Sequence, residues 1–333
     1  MQLTKISSVC REYIFRRHQD IERVEPLRLD LCLKDWVETF SPEFTAGNHR
    51  LGDRAFKYVC GLLQTDRANL ERMSETVPDT GYQPIQHFIS HSPWEDRPIR
   101  KLMAEKLNRL LGQTPYSGLL IDETPFAKKG TKSVGVSRQW NGQKGKVDNC
   151  QVAVFSTLCD SDHASLLDSR LFLRKEWCDD PKRCKAAGIP AEHMAHKSKT
   201  ELALELIDEA DDFGVDYAWV GVDAGYGKDP AFLRALVQRG KTFFADVHKT
   251  QQIYIANPTK KHPRPGCRGK QRKLTTTPKP MTVADWVEAQ PKRKWKNVLL
   301  RYGSRGRQMA RVLHGHIWVW DKKKIDPILG TWW

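Results

Sequence analysis

Two carboxylates end short apolar runs at distant points of the chain. Asp122 follows Leu119-Leu120-Ile121, and Asp223 follows Tyr217-Ala218-Trp219-Val220-Gly221-Val222. Acids projecting from neighbouring strand ends suit a hard divalent cation, which takes carboxylate oxygens and keeps several of its waters. On position alone each acid reads first as a turn residue or a helix cap. They lie 101 positions apart, so only folding brings them together. Glu123 is next to Asp122 and points to the opposite face if the strand continues, which leaves it a supporting role at most.

The elements that must position these acids are legible in outline. Tyr116 to Asp122, bounded by Pro115 and Pro125, is too short for a helix and suits a buried central strand. A turn-rich stretch from Lys128 to Lys146 holds Gly130, Gly135, Gly142 and Gly145, and two strand-like segments follow, Asn149 to Leu158 and Ala164 to Leu173. The three strands are expected to form an antiparallel meander. Ser198 with Glu201 three residues later reads as a capping box, opening a helix whose apolar face is Leu202, Leu206, Ile207 and Ala210 and which Gly214 ends. Tyr217 to Asp223 is the next strand. Asp229-Pro230 starts a further helix that Gly240 closes, before a strand from Thr242 to Val247.

The order is strand, strand, strand, helix, strand, helix, strand, with one acid on the first strand and one at the end of the fourth. It resembles the RNase H-like fold of DDE transposases and integrases. The local text is more specific: Ile121-Asp122-Glu123-Thr124-Pro125-Phe126-Ala127-Lys128-Lys129-Gly130, Ser133-Val134-Gly135-Val136, Gln139-Trp140, Gly145-Lys146-Val147-Asp148-Asn149-Cys150-Gln151-Val152-Ala153-Val154 and Asp223-Ala224-Gly225-Tyr226-Gly227. Together these motifs are similar to a branch of bacterial insertion-sequence transposases, insertion sequence family seven-oh-one, from about residue 45 onward. The resemblance implies an α/β protein: an RNase H-like mixed sheet with flanking helices, preceded by an all-helical N-terminal region and carrying a basic β-rich insertion. It implies Asp122 and Asp223 as catalytic and metal-holding acids, Mg²⁺ as cofactor with Mn²⁺ as a substitute, and double-stranded DNA as partner. The DNA would be the transposon terminal inverted repeats and the target, bound by a homodimer. Cutting and joining phosphodiesters by paired metals needs an in-line nucleophile and a stabilised leaving oxygen.

The net charge is +15, and its location is informative. Pro258 to Lys324 holds nineteen Lys or Arg against Asp285, Glu288 and Asp321, a local +16 that leaves the rest at about −1. Such a footprint suits a phosphate backbone. Its candidate contacts are Lys260, Lys261, Arg264, Arg268, Lys270, Arg272, Lys273, Arg305 and Arg307, with Lys128, Lys129 and Arg138 nearer the acids in sequence. Residues 257–280 carry Pro, Gly and Lys without an acid and are expected to be disordered in the absence of DNA. Eight scattered cysteines (10, 32, 60, 150, 159, 178, 184 and 267) form no disulfide framework, which fits a reducing cytoplasm. No run of about 18 apolar residues offers a membrane span, and Met1 to Arg23 lacks the apolar centre of a secretory signal.

Three regions are thus expected. Residues 1–112 are helical: Phe56, Val59, Cys60 and Leu63 at helical spacing, Thr65 capping a short helix with Leu70 and Met73, a helix beginning over Pro84 to Ser90, and Ile99, Met103 and Leu107 striping a longer one. They read equally as a helix-turn-helix for DNA ends or as a bracing bundle. Residues 113–250 are the catalytic core, and 251–333 the insertion, with strands at Val298 to Arg301 and Gln308 to Trp320. In the family a third acid, a Glu on a helix, follows the insertion, and no segment resembles that helix. The expectation is therefore a C-terminally truncated transposase, or alternatively a non-catalytic protein that occupies transposon ends or inhibits full-length enzyme. Glu288 is the late helical Glu, with Trp286 beside it as a packing residue. Cys178, Cys184, His193 and His196 match no common zinc-finger spacing.

Overall fold

The computed structural model describes residues 33–35, 37–66, 68–258, 279–303, 306–320 and 328–332. The N-terminal 32 residues and the basic stretch 259–278 therefore lie outside the description. Contacts group the chain into two compact units: one from the N-terminal region to Leu119 with Glu123–Ala195 and Glu205–Ala218, the other from Leu120–Asp122, His196–Leu204 and Trp219 onward.

The described part of the first unit opens with a short helical stretch and an antiparallel hairpin of Thr45–Ala46 with His49–Arg50, so the N-terminal region is not all helical as expected; helices α1 (Gly52–Gln64), α2 (Leu70–Thr76), α3 (Tyr82–Ser90) and α4 (Asp96–Leu111) follow. Small residues form the buried side of α1: Ala55, Cys60 and Gly61 face inward, whereas Leu63 is exposed. A Cβ on Gly61 would stand 2.6 Å from Met73 Cγ, so α1 and α2 touch nearly backbone to side chain. Thr65 does not cap α2. Its hydroxyl donates to the Gly61 carbonyl at 2.6 Å and closes α1, and Asn69 caps α2 by accepting from the Arg72 amide. A threonine at a helix end finds the carbonyl four residues back, which its own amide also meets at 3.2 Å, before it reaches the next helix.

Strands β1 (Gly118–Ala127), β2 (Ser137–Asn141), β3 (Lys146–Cys159) and β4 (Ala164–Leu171) follow. The long β3 pairs antiparallel with β2 through its first half and with β4 through its second. Along β1, the Lys128 amide donates to the Asn149 carbonyl and the Cys159 thiol to the Gly118 carbonyl. These contacts join opposite ends of the two strands, so β1 and β3 also run antiparallel, as the meander requires. Strand β2 falls inside the stretch that reads as turns, because its alternation is inverted: Ser137, Gln139 and Asn141 face inward, Arg138 and Trp140 outward. The Gln139 amide is satisfied by the Cys150 carbonyl at 2.9 Å, which makes a polar inward face tolerable.

Helices α5 (Lys175–Cys178) and α6 (Pro181–Ala186) precede α7 (Lys199–Asp212). The Ser198–Glu201 box opens α7: Glu201 N donates to Ser198 Oγ at 3.2 Å, and the Ser198 amide and hydroxyl both donate to Glu201 Oε2 at 2.7 Å. Leu202, Leu206, Ile207 and Ala210 are buried. A chain of ions ties α4 to β4 and α7. Arg100 meets Asp96 (3.0 Å), Asp168 (2.7 Å) and Glu209 (3.1 Å), Arg170 also meets Asp168 (2.7 Å), and Arg97 pairs with Glu209. Burial works against the Arg100 charge, but Asp168, Asp96 and Glu209 outweigh it and raise the pKa.

In the second unit, β5 (Trp219–Val222) leads through α8 (Ala224–Gly227) and α9 (Pro230–Gln238) to β6 (Phe243–Ala245), which pairs parallel with β5. The six-stranded mixed sheet has the order β2-β3-β1-β5-β6, with β4 also on β3. This mixed α/β arrangement is consistent with the RNase H-like expectation. The chain continues through β7 (Gln252–Ile253), β8 (Met281–Thr282), α10 (Val283–Glu288), β9 (Lys296–Gly303), β10 (Gly306–Val312), β11 (Gly315–Val319) and β12 (Ile328–Trp332). Trp286 packs with Ile253, Leu313, Ile317 and Val319 as a separate core. The expected strand over 308–320 is two strands: β10 pairs with β9 and β11 with β12, the change of partner falling at Leu313-His314. No helix among the described residues is long and apolar enough to cross a membrane.

Two measurements follow from these contacts. Asp168→Ala leaves Arg100 and Arg170 facing each other in a half-buried site and should cost about 3–5 kcal/mol in urea unfolding, as expected for removing one partner of a buried ion network. The hydroxyl and amide of Ser198 lower the Glu201 pKa. A depressed folded-state pKa stabilises above the ordinary carboxylate range, and that contribution disappears as pH falls through the folded value. Carboxylate NMR should find Glu201 titrating below the usual glutamate range and moving part of the way back in Ser198→Ala, which removes the hydroxyl but keeps the amide.

Candidate active site

The placement of the acids follows from the pairing of β1 with β5. The Ala218 amide donates to the Ser117 carbonyl at 2.9 Å, and Gly221 lies so close to Leu120 that an added Cβ would stand 2.6 Å from its Cδ2. Both contacts advance together along the two strands, so β1 and β5 are parallel neighbours in the sheet. Asp122 lies two residues beyond Leu120 and Asp223 two beyond Gly221, so both acids lie towards the same end of adjacent strands, each half-buried.

Asp122 does not end its strand, which runs on to Ala127 through Pro125. Strand β5 stops at Val222, so beyond Asp122 the neighbour is gone, and a proline there interrupts no ladder on that side. Asp223 leaves β5 and becomes the N-cap of α8: its Oδ1 accepts from the Gly225 amide at 2.8 Å and the Tyr226 amide at 3.3 Å. The cap reading and the metal reading thus coexist, because both amides use the same oxygen and fix the carboxylate's direction. The glycines of Asp223-Ala224-Gly225-Tyr226-Gly227 serve this turn. A Cβ at Gly227 would stand 2.0 Å from the Asp246 carbonyl oxygen, and one at Gly225 would stand 2.9 Å from Asp223 Oδ1. Tyr226 is buried with its ring 5.8 Å from that of Phe232. Its motif is a strand-to-helix turn held by the protein's own contacts.

Two oxygen ligands on neighbouring strands fit a hard ion that completes its shell with water and substrate oxygens. Among the described residues no group of three or more His, Cys, Asp or Glu comes together as a metal cage. Glu288 is exposed at the last turn of α10, whose Trp286 is the packing residue, against Gly315. Cys178 and Cys184 belong to a small core around Trp177, and burial pushes the Cys178 thiol up, away from the thiolate a zinc site needs. Of the basic candidates, Lys128, Lys129, Arg138 and Arg307 are exposed. Lys260, Lys261, Arg264, Arg268, Lys270, Arg272, Lys273 and Arg305 lie outside the described residues.

The sequence pattern of the DDE superfamily endonucleases matches residues 39–307. The chain belongs to that family. It is also 29% identical over 205 residues to a protein of Microchaete diplosiphon described as "Probable transposase for insertion sequence element IS701", a match covering 60% of this chain and 47% of the relative. This DDE-family chain thus spans about half the length of the curated relative it matches. DDE superfamily endonucleases generally use divalent metal ions, in keeping with the oxygen-only donor pair.

The turn that carries Asp223 is sensitive to single atoms. Gly227→Ala should destabilise the protein by about 1–3 kcal/mol, since the obstructing atom is backbone and cannot rotate away. Thermal unfolding of Gly227→Ala against Gly240→Ala separates this clash from simple backbone strain, because Gly240 has φ +67° but nothing within 4 Å of an added Cβ.

Proposed function

We propose that this chain is the DNA-handling and catalytic part of an insertion-sequence transposase. It binds transposon terminal inverted repeats and target DNA, and it cleaves and transfers strands in a Mg²⁺-dependent reaction for which Mn²⁺ substitutes. The observation that supports this reading is that Asp122 and Asp223 lie towards the same end of adjacent parallel strands in a DDE-family chain. Asp122 and Asp223 hold the ions, which when bound activate the attacking oxygen and stabilise the leaving oxygen. The Gly225 and Tyr226 amides keep Asp223 directed without a side chain that competes for the substrate. Water attacks the phosphodiester at the transposon end and the bond to the 3′ oxygen breaks; the freed 3′-OH then attacks a target phosphodiester, forming a new P–O bond as the target's own 3′ oxygen leaves as a hydroxyl.

Lys128, Lys129 and Arg138 meet phosphate near the cleavage point, and the basic insertion, with Arg307 on β10 and the residues of 259–278, clamps the duplex. The helices of residues 1–112 recognise the ends, residues 113–250 perform the chemistry, and a homodimer pairs two ends in the bacterial cytoplasm, on the nucleoid. A second reading, a DNA-occupying protein that does not cut, is favoured by the pair of acids standing without a third among the described residues.

The test uses a labelled duplex bearing the element's terminal repeats with Mg²⁺ or Mn²⁺. Asp122→Ala should abolish cutting. Asp223→Asn should abolish it while leaving thermal stability nearly unchanged, because Asn caps a helix about as well as Asp but carries no charge. Binding that falls steeply with salt, without any cutting, supports the second reading; cutting by both variants refutes the assignment of the acids.

A further inference from the structure

The loop that follows β1, residues 128–136, carries Lys128, Lys129 and Lys132, all exposed, and contains no acid. Loops of this length normally turn their carbonyls to water. Here the carbonyls are held from inside by side chains. Asn149 Nδ2 donates to the carbonyls of Lys128 (2.8 Å) and Gly130 (2.9 Å). Arg183 Nη2 donates to Thr131 O (3.0 Å), Gln151 Nε2 to Val134 O (2.5 Å) and Trp177 Nε1 to Val136 O (2.9 Å).

The donors are themselves fixed. Asn149 and Gln151 stand on β3, and Trp177 is fully buried with Leu173 and Cys184. The Arg183 guanidinium stacks 3.7 Å from the centre of the Trp177 ring, an arrangement that fixes its direction. Just beyond the loop, Arg174 Nη1 holds the carbonyl of Arg138 in the same way, at 2.8 Å. The segment between β4 and α7, which in sequence is only a connection, is therefore a buttress for a strongly basic loop. A loop fixed this firmly has little ordering left to do when it binds, and its exposed charges are all positive.

We propose that Asn149, Gln151, Trp177 and Arg183 are positioning residues that present Lys128, Lys129 and Lys132 as a preformed contact for the phosphate backbone of duplex DNA. This inference rests on the DNA-binding reading above, adds Lys132 to the contact, and assigns residues 174–183 a role. The lysines neutralise phosphates and release counterions; the scaffold keeps the three charges on one rigid curve.

Two readouts test the two halves. The uncharged double variant Asn149→Ala/Gln151→Ala removes only half-buried side chains, so the fold should survive. In DNA-free protein, trypsin should cut the wild type slowly after Lys128, Lys129 and Lys132 despite their exposure. The double variant should be cut there roughly tenfold faster, because cleavage tracks how often the loop opens. Equal rates would overturn the scaffold. On duplex DNA, Lys128→Ala/Lys129→Ala/Lys132→Ala should flatten the slope of log affinity against log salt by about 2–3, each phosphate contributing about 0.9. A wild-type slope in that variant would overturn the contact while leaving DNA binding by the protein intact; no DNA binding by the wild type would overturn the contact together with the proposed function.

Discussion

The parallel pairing of β1 with β5 is the constraint on which the rest depends. Two carboxylates 101 residues apart reach the same end of neighbouring strands because Ala218 bonds to Ser117 and Gly221 packs on Leu120. Register matters to such a pair, since side chains alternate along a strand. Gly221 contributes by what it lacks: with Leu120 Cδ2 and the Trp219 ring both within 3 Å of an added Cβ, the strands could not sit this close. Parallel β6 on the far edge of β5 then leaves β5 buried between partners, as a short apolar run of this kind requires.

The same economy governs Asp223. A carboxylate at a strand end has two competing uses, capping the next helix and reaching outward to a ligand. Here the turn lets one oxygen serve the Gly225 and Tyr226 amides while the parallel pairing of β5 with β1 puts the group on the strand next to that of Asp122. The cap fixes the direction of the acid. Glycine at 225 and 227 is the condition for that geometry, because the cap and the Asp246 carbonyl occupy the space a side chain would take.

Much of this was legible in the sequence because local chemistry and tertiary demand agree. Ser198 with Glu201, and Asp229 with Pro230, predict helix starts that form as read, and the apolar run before each acid predicts its strand. Strand β2 was hidden because its buried face is Ser137, Gln139 and Asn141, polar residues that pattern reasoning places outside. Thr65 misled for a related reason. Its hydroxyl has two plausible partners, and which wins depends on where α1 ends, not on the residue itself. At β10 and β11 a continuous strand-like run hides a change of partner, which no periodicity records. Loop 128–136 was legible as basic, but the side chains that hold its carbonyls come from as far away as Arg183.

Charge is used in two opposite ways in this molecule. In the ion network of Arg100, Arg170, Asp168 and Glu209, cations are matched by acids within 3.6 Å and half-buried, so their field is spent inside the protein. Along loop 128–136 the cations have no acid in the loop and stand in water, so their field extends outward to about a Debye length, roughly 8–10 Å in physiological salt. Matched and unmatched cations thus occur in the same compact unit. The matched ones, largely shielded from water, fix α4 to β4 and α7 with little response to ionic strength, whereas the field of the unmatched ones is one that salt weakens. Placing the two kinds of cation in separate sets of residues lets the surface field respond to salt without the packing of α4, β4 and α7 responding with it.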